Sequence, residues 1–266
     1  MVPPPMFLAA GGMDVMVQMM GNSNPDVNKQ AAQAIFEACN DNPTNQQLVQ
    51  EAGGVPKMVQ LLQSSSAPEV KNRAAEAIAA ACSQNRDNRL DALQNNALEP
   101  LVKMLDAGSV QTQESAANAL ANVIIPREGA GEQPEESGGS AGSRAEPSKS
   151  ESAAKREEIC EAQSTLNDLG GVARLIKLVE LGAPRVKEAA AAAIANAMVD
   201  NEQNRKAFQE AGGVGPLIGL LKSGDIHAQE HATTALWNAM VDNEATKIDL
   251  IKHPQVCSSW QASFAM

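Results

Sequence analysis

The chain has 266 residues and a formal net charge of −11, and 43% of its residues are hydrophobic although only 2% are aromatic. So few aromatic residues, with no tyrosine at all, argue against a β-sandwich and favour helices that approach closely through small side chains. Because the acidic charge comes without a run of basic residues, we expect no nucleic acid as a partner.

The first residues read as the end of an incomplete helix. Phe7 lies 42 residues before Val49, and the AAGG at 9–12 matches the EAGG at 51–54. The same stretch lacks the charged n-region of a signal peptide, and position 2 is not the glycine that N-myristoylation requires. No apolar run approaches the ~20 residues that span a bilayer. We therefore expect no membrane insertion and a cytoplasmic location, with the nucleus as an alternative.

Five alanine-rich amphipathic segments then recur along the chain. Each carries one bulky apolar residue, which we call the marker, and the markers lie 43, 42, 74 and 42 residues apart. The markers are Ile35, Ile78, Leu120, Ile194 and Leu236. A period in the low forties without a strand pattern predicts a helical solenoid.

Other residues with the same spacing predict where the helices begin and end. Gly-Gly pairs at 11–12, 53–54, 170–171 and 212–213 end short helices, and glycine permits a sharp turn because it accepts positive φ. Pro25, Pro68 and Pro184 stand where the long helices begin. Asn and Asp residues in links such as NDNPTNQQ and VDNEQNR are expected to cap the helices that follow.

Residues 126–154 account for the long third interval. This stretch is rich in Gly, Ser, Pro and Glu and has no large apolar residue, so we expect a disordered insertion across which the solenoid continues. The chain then divides into repeats one to three at 1–125, with an incomplete first helix, and repeats four and five with the first helix of a sixth at 155–252. A tail follows at 253–266. We hypothesise that the incomplete repeats at the two ends are covered by a partner, by a second copy of the chain, or by the tail with its Trp260 and Phe264.

The recurring patterns N-x-x-N-R, E-A-G-G-V-x-x-L-I-x-L-L and A-A-x-A-L-x-N resemble the armadillo repeat. The resemblance covers nearly all of residues 6–256 outside the insertion. It implies an all-α, right-handed superhelix of about five repeats, similar to the vacuolar and beta-catenin-like adaptors. It also implies a non-catalytic scaffold that holds a protein or peptide segment in a groove.

In armadillo proteins the third helices line this groove, and an asparagine on each contacts the main chain of an extended peptide. Two residues after the marker, this chain has Asn122, Asn196 and Asn238, but Glu37 and Ala80 in the first two repeats. An amide donates and accepts at once, which suits a peptide backbone. The alternative is that these asparagines cap or bond within their own repeat.

Neighbouring positions are expected to set the selectivity of the groove. Asn118, Thr234 and His231 are the candidates, and Glu188 and Glu230 repeat a carboxylate also present at Glu114. This row would favour a basic partner. The interpretation we prefer is that these acids lie in the first helical turn and stabilise the helix dipole.

A nuclear-transport receptor for basic signals is an alternative function. Importin-alpha-type receptors carry a tryptophan two residues before the marker, where this chain has Gln33, Glu76, Asn118, Ala192 and Thr234. Trp237 falls outside that register and is interpreted as a packing residue. The sequence is also compatible with a subunit that stacks through its uncapped ends, and with a regulatory subunit of an enzyme.

We expect no enzymatic activity, cofactor or metal. No catalytic motif is found, and His227 and His231, with Glu230 between them, lack a third metal ligand. Cys39 and Cys82 lie four residues after their markers, at the position that holds Ile124, Met198 and Met240 elsewhere. We therefore predict that both are buried, reduced thiols that act as small hydrophobic residues.

Overall fold

The computed structural model describes residues 11–65, 67–125 and 160–254. All regular secondary structure within these ranges is helical, which confirms the all-α prediction. The helices follow the predicted period and form units of three. The start of the first helix, the insertion at 126–154 and tail residues 255–266 lie outside the described residues.

The helices are assigned to repeats as follows. Repeat one contributes α1 (Met13–Met19) and α2 (Pro25–Cys39), repeat two α3 (Pro43–Glu51), α4 (Gly54–Ser64) and α5 (Pro68–Cys82), and repeat three α6 (Arg86–Gln94), α7 (Leu98–Met104) and α8 (Val110–Val123). Repeat four contributes α9 (160–168), α10 (Gly171–Leu181) and α11 (Pro184–Met198), and repeat five α12 (Glu202–Glu210), α13 (Val214–Ser223) and α14 (Ile226–Met240). The last helix, α15 (Glu244–Lys252), opens a sixth unit.

The helix starts are set by the residues that the sequence singled out. Asn42, Asn85, Asn201 and Asn243 each accept a hydrogen bond from the backbone N–H three residues later, as predicted for caps. The three prolines occupy the first position of α2, α5 and α11, where a missing N–H leaves no intrahelical bond unmade.

The two glycines have different roles in the Gly-Gly pairs at 53–54, 170–171 and 212–213. Gly53, Gly170 and Gly212 adopt positive φ, whereas the second glycine leaves no room for a side chain. A Cβ at Gly213 would lie 2.2 Å from the ring of Phe208, and one at Gly171 would lie 2.4 Å from Leu166. The third repeat has no such pair, and there Asn96 takes the positive φ, as asparagine tolerates this region better than most residues.

The third helices α2, α5, α8, α11 and α14 pack on one another in sequence order. All five markers are at most 5% exposed, and the alanines three residues before the first four are fully buried. Small side chains at these contacts allow the helices to lie close together. The row is not interrupted at the insertion, because α8 packs directly against α11.

The N-x-x-N-R pattern tightens the junctions between helices. The side chain of Asn204 is fully buried and donates to the carbonyls of Gln163 and Ala197 at 2.9 and 2.7 Å. Arg205 donates to the carbonyl of Met198 at 3.0 Å, where a cation also favours the C-terminal end of the helix dipole. Asn88 and Arg89 make the corresponding bonds to Ala81 and Cys82.

Candidate partner-binding groove

The side of the third-helix row that remains accessible is the candidate binding surface. We call it the groove face and define it by three positions on each third helix: two residues after the marker, two before it and six before it. These positions hold the residues singled out from the sequence except His231, which lies five residues before its marker, and they contribute side chains from all five third helices.

The three predicted groove asparagines have one shared geometry. Asn122 donates through Nδ2 to the carbonyl of Ala79 at 3.0 Å, Asn196 to Ala121 at 2.8 Å, and Asn238 to Ala195 at 3.0 Å. Each bond therefore joins a third helix to the third helix of the preceding repeat. The alternative to groove binding was that these amides cap a helix or bond within their own repeat, and they do neither.

These bonds leave part of each amide available. An asparagine side chain offers two N–H donors and one carbonyl oxygen, and each of the three residues is half-buried. One N–H is used by the bond to the preceding helix, which fixes the orientation of the amide. The oxygen and the second N–H can therefore serve a ligand. Glu37 and Ala80 break this row in the first two repeats.

Of the other predicted selectivity residues, Asn118 and Thr234 lie on the groove face, whereas His231 follows Glu230 directly and lies beside it. Asn118 and Thr234 are exposed, and His231 is half-buried. The Thr234 hydroxyl donates to the backbone carbonyl of Glu230 at 3.0 Å, so it keeps only acceptor capacity for a partner.

The carboxylate row is not in the first turn of its helices. Glu114, Glu188 and Glu230 are the fifth residues of α8, α11 and α14, and the first turns of these helices contain no acidic residue. The interpretation of these acids as first-turn residues is therefore wrong, because the helices begin one turn earlier than it requires. Helix-dipole effects fall off within the first turn, and Glu230 is exposed while the other two are half-buried.

Trp237 is not a packing residue in the described structure. It is 68% exposed, whereas Ala79, Ala121 and Ala195 at the same position are at most 7% exposed. The alanines are covered by the following third helix, and no third helix follows α14 among the described residues. The interpretation of Trp237 as a packing residue is thus wrong. It assumed that the last copy is buried as the interior copies are.

A polar opening of about 320 Å³ in the first three repeats was missed by the sequence analysis. It is lined by Lys29, Gln30, Gln33, Glu69, Asn72, Arg73 and Gln111, which come from α2, α5 and α8. Lys29 lies 3.2 Å from Glu69 and 3.3 Å from Asp26; the hydrogen bond with Glu69, more than that with Asp26, raises the pKa of Lys29. Asn72 lies six residues before its marker, where Glu114, Glu188 and Glu230 lie in later repeats. Alignment of the repeats could have revealed this difference.

The cysteine prediction is confirmed for Cys39 and Cys82, which are both fully buried free thiols. Burial raises the pKa of each to about 12, so neither is a reactive thiolate near neutral pH. Over the three described ranges, no group of three or more His, Cys, Asp and Glu residues could hold a metal ion. Nor does any helix there have the length and hydrophobicity to cross a membrane.

Comparison with known sequences supports the repeat assignment. The family model of the Armadillo/beta-catenin-like repeat matches residues 42–82, 85–124 and 201–241, which are repeats two, three and five. No curated protein matches the chain.

Comparison with solved structures identifies the same architecture. An engineered protein superposes with a TM-score of 0.68 at 27% identity, covering 91% of this chain and 90% of its own. A designed armadillo repeat protein in complex with the peptide (KR)4 gives a TM-score of 0.67 at 26% identity, covering 88% and 84%. A structure from work on the cadherin–beta-catenin interaction gives 0.66 at 16% identity, covering 88% of this chain and 40% of that one. The fold is therefore an armadillo solenoid.

Proposed function

Because the armadillo repeat model matches three stretches of this chain and its fold is an armadillo solenoid, we propose that it is a non-catalytic, cytoplasmic scaffold that binds a segment of a partner protein along its groove face. The observation that carries the proposal is the shared geometry of Asn122, Asn196 and Asn238. Three amides, each oriented by a bond to the preceding third helix, present the same unused donor and acceptor at regular intervals.

The mechanism is recognition of a main chain. Each oriented amide accepts from a backbone N–H and donates to a backbone carbonyl of an extended segment. Adjacent packed helices lie ~10 Å apart, so three asparagines span ~20 Å. An extended chain rises about 3.3 Å per residue, and the three amides therefore fit a segment of about six residues.

The charge of the groove face favours a basic segment. Glu114, Glu188 and Glu230 form no ion pair among the described residues, and the whole chain carries a net charge of −11. Exposed carboxylates contribute more to the association rate and to selectivity than to affinity. A similar designed protein binds (KR)4, which supports the use of this peptide as the first probe.

Titration of the protein with (KR)4 tests the proposal. The double variant Asn196→Ala/Asn238→Ala should weaken binding roughly tenfold or more, because two backbone contacts are lost at about 1 kcal/mol each. Binding should also weaken steeply with salt. The matched control Asn40→Ala removes an exposed amide that lies outside the groove face and should bind as the wild type does. Equal affinities for the double variant and the control would exclude the groove asparagines as the binding residues.

End-to-end assembly is the second candidate function, and one observation favours it. The described C-terminal end exposes Trp237, Val241, Ile248 and Ile251 by between 40% and 68%. Exposed apolar clusters of this kind often mark interaction surfaces, and armadillo-type solenoids bury the equivalent faces against a further repeat. A molecular mass that rises with protein concentration in light scattering is the expected sign of such assembly.

A further inference from the structure

A second opening, of about 530 Å³, lies where the third helices α5 and α8 begin, and we call it the edge opening. Its apolar lining comes from α4, α5 and α7 and consists of Leu62, Pro68, Pro100 and Met104. Binding pockets have volumes of about 300–1,000 Å³ and combine apolar walls with a few polar groups. The edge opening has this composition, because Lys71 and Thr112 also border it.

The hydroxyl of Thr112 is a polar group at a position that is apolar in the other repeats. Eight residues before the marker, those repeats have Val27, Val70, Val186 and Ala228. Thr112 is only 7% exposed, and its hydroxyl has no hydrogen-bond partner among the described residues. The hydroxyl is not one of the unpartnered side-chain atoms that are closed to solvent, so a ligand in the edge opening can reach it. Such a ligand would offset the cost of leaving this hydroxyl without a hydrogen bond.

The edge opening carries a net positive charge, although the whole chain is acidic. Lys71 and Lys103 contribute two positive charges and Glu99 contributes one negative charge, which leaves +1. Glu99 is paired with Lys103 at 2.6 Å, whereas Lys71 forms no ion pair within the part of the chain that the structure describes. Charges more than about 8–10 Å apart are largely screened at physiological salt. The local charge therefore favours an anion here despite the net charge of −11.

Asn72 adds a further donor to the edge opening. It borders the opening and is 6% exposed. Its amide oxygen is closed to solvent, but its amide nitrogen is not, and this nitrogen has no hydrogen-bond partner in the described ranges. Lys71, Asn72 and Thr112 thus offer an ammonium, an amide N–H and a hydroxyl. A carboxylate only accepts hydrogen bonds, so it suits these three donors.

We propose that the edge opening is a second binding site, which adjoins the groove face at Asn72 and takes an acidic segment of a partner protein in which an apolar side chain lies next to a carboxylate. The apolar side chain packs against Leu62 and Met104. The carboxylate accepts hydrogen bonds from Lys71, Asn72 and Thr112. The groove face and the edge opening then select segments of opposite charge.

Calorimetric titration with the peptide (DL)4, acetylated and amidated at its ends, tests the proposal. The peptide (NL)4 is the matched probe, because it has the same shape and lacks only the carboxylate charge. It should bind at least fivefold more weakly than (DL)4, since hydrogen bonds to charged groups are the stronger ones. Equal affinities of the two peptides, or no binding of (DL)4, would overturn the proposal. The measurement does not involve (KR)4, so it stands even if the proposed groove function fails.

The variant Lys71→Gln separates the local charge from the charge of the whole molecule. It should bind (DL)4 roughly fivefold more weakly, because a charge-assisted hydrogen bond is lost. The matched control is Lys177→Gln, which changes the net charge equally and replaces an exposed lysine on α10 that also lacks an ion pair among the described residues. The control should bind as the wild type does. Equal effects of the two substitutions would contradict a site at Lys71.

The variant Thr112→Val removes the hydroxyl and restores the residue that most other repeats have at this position. Binding of (DL)4 should weaken roughly threefold or more, because one hydrogen bond is lost. The urea midpoint should stay the same or rise, since the unpartnered hydroxyl is replaced by a methyl group of similar shape. A lower midpoint would show that the fold itself uses the hydroxyl, and an unchanged affinity would show that the ligand does not meet it. Either result refutes the assignment.

Discussion

Asparagine recurs at three positions of the repeat with different neighbours at each. In the links, Asn42 and Asn85 cap the helices that follow. One turn into the first helix of a repeat, Asn88 and Asn204 are buried and join neighbouring helices through their amides. On the third helices, Asn196 and its counterparts donate one N–H to the preceding third helix, and the rest of the amide is the part proposed to meet a partner. The residue type alone does not indicate which of these contacts an asparagine makes; its position in the repeat does.

The buried thiols lead to a prediction about alkaline pH. Burial raises the pKa of Cys39 and Cys82 to about 12, above the ordinary value of 9.0. Between these values the unfolded chain loses thiol protons that the folded chain keeps, so the free energy of unfolding falls as pH rises. The expected slope is about 1 kcal/mol per pH unit for each thiol, measured by urea denaturation between pH 8 and 10.5.

The double variant Cys39→Ala/Cys82→Ala is the control for this slope. It keeps every lysine that titrates in the same range, and the chain has no tyrosine. Its stability should therefore fall with pH less steeply than that of the wild type. Identical slopes would mean that the thiols ionise as easily in the folded protein as in the unfolded one.

The helix starts depend on two kinds of residue: those that act on the adjacent helix alone, and those whose place depends on a side chain packed against them. Asparagine caps and first-position prolines act within a few residues of the helix they begin. The second glycine of the pairs at 53–54, 170–171 and 212–213 acts differently, because a side chain packs where its Cβ would lie. At Gly213 this is the ring of Phe208.

Two glycine substitutions in repeat five separate these effects. In Gly213→Ala the new Cβ would lie 2.2 Å from Phe208, so the junction must shift and the free energy of unfolding should fall by about 2–3 kcal/mol. In Gly219→Ala nothing lies within 4 Å of the new Cβ inside α13, and stability should rise by about 0.5–1 kcal/mol. Urea denaturation of both variants measures the difference, and equal effects would contradict the packing argument.

For the whole molecule, the continuous row of third helices has unequal ends. Each interior third helix is covered by the next, and the alanines at Ala79, Ala121 and Ala195 are buried there. Trp237 replaces alanine at the last copy and is exposed. Phe36 holds the same position in α2 and packs against the core with α5 beyond it, so an aromatic residue here is compatible with a covering helix or another apolar surface.

Fluorescence of Trp237 reports on this end. In Trp260→Phe it is the only tryptophan, and at low concentration its emission should be that of an exposed indole, open to acrylamide quenching. If the ends associate, emission shifts to the blue and the mass from light scattering rises with concentration, while Trp237→Ala reduces the rise. A constant mass over the same range, with the indole still open to quencher, would rule out end-to-end assembly.

Much of the fold follows from the sequence because a solenoid is built from contacts that repeat. Outside the insertion the markers and link asparagines return every 42 or 43 residues, as do the glycine pairs in the repeats that have them, and each repeat contacts only its neighbours. A local pattern therefore predicts both the helices and their order of packing. The insertion does not hide this pattern, since α8 and α11 still pack together.

The sequence by itself thus determined the helical repeats, the caps, the buried thiols and the positions of Asn122, Asn196 and Asn238 on one row. Only the tertiary structure decided which groups have partners. It showed that the groove amides bond to the preceding third helix, that Trp237 is exposed, and that Asn72 is buried without a hydrogen bond among the described residues. The physical reason is that a period places a residue on a helix face, whereas burial and hydrogen bonding depend on atoms contributed by residues about 40 or 75 positions away.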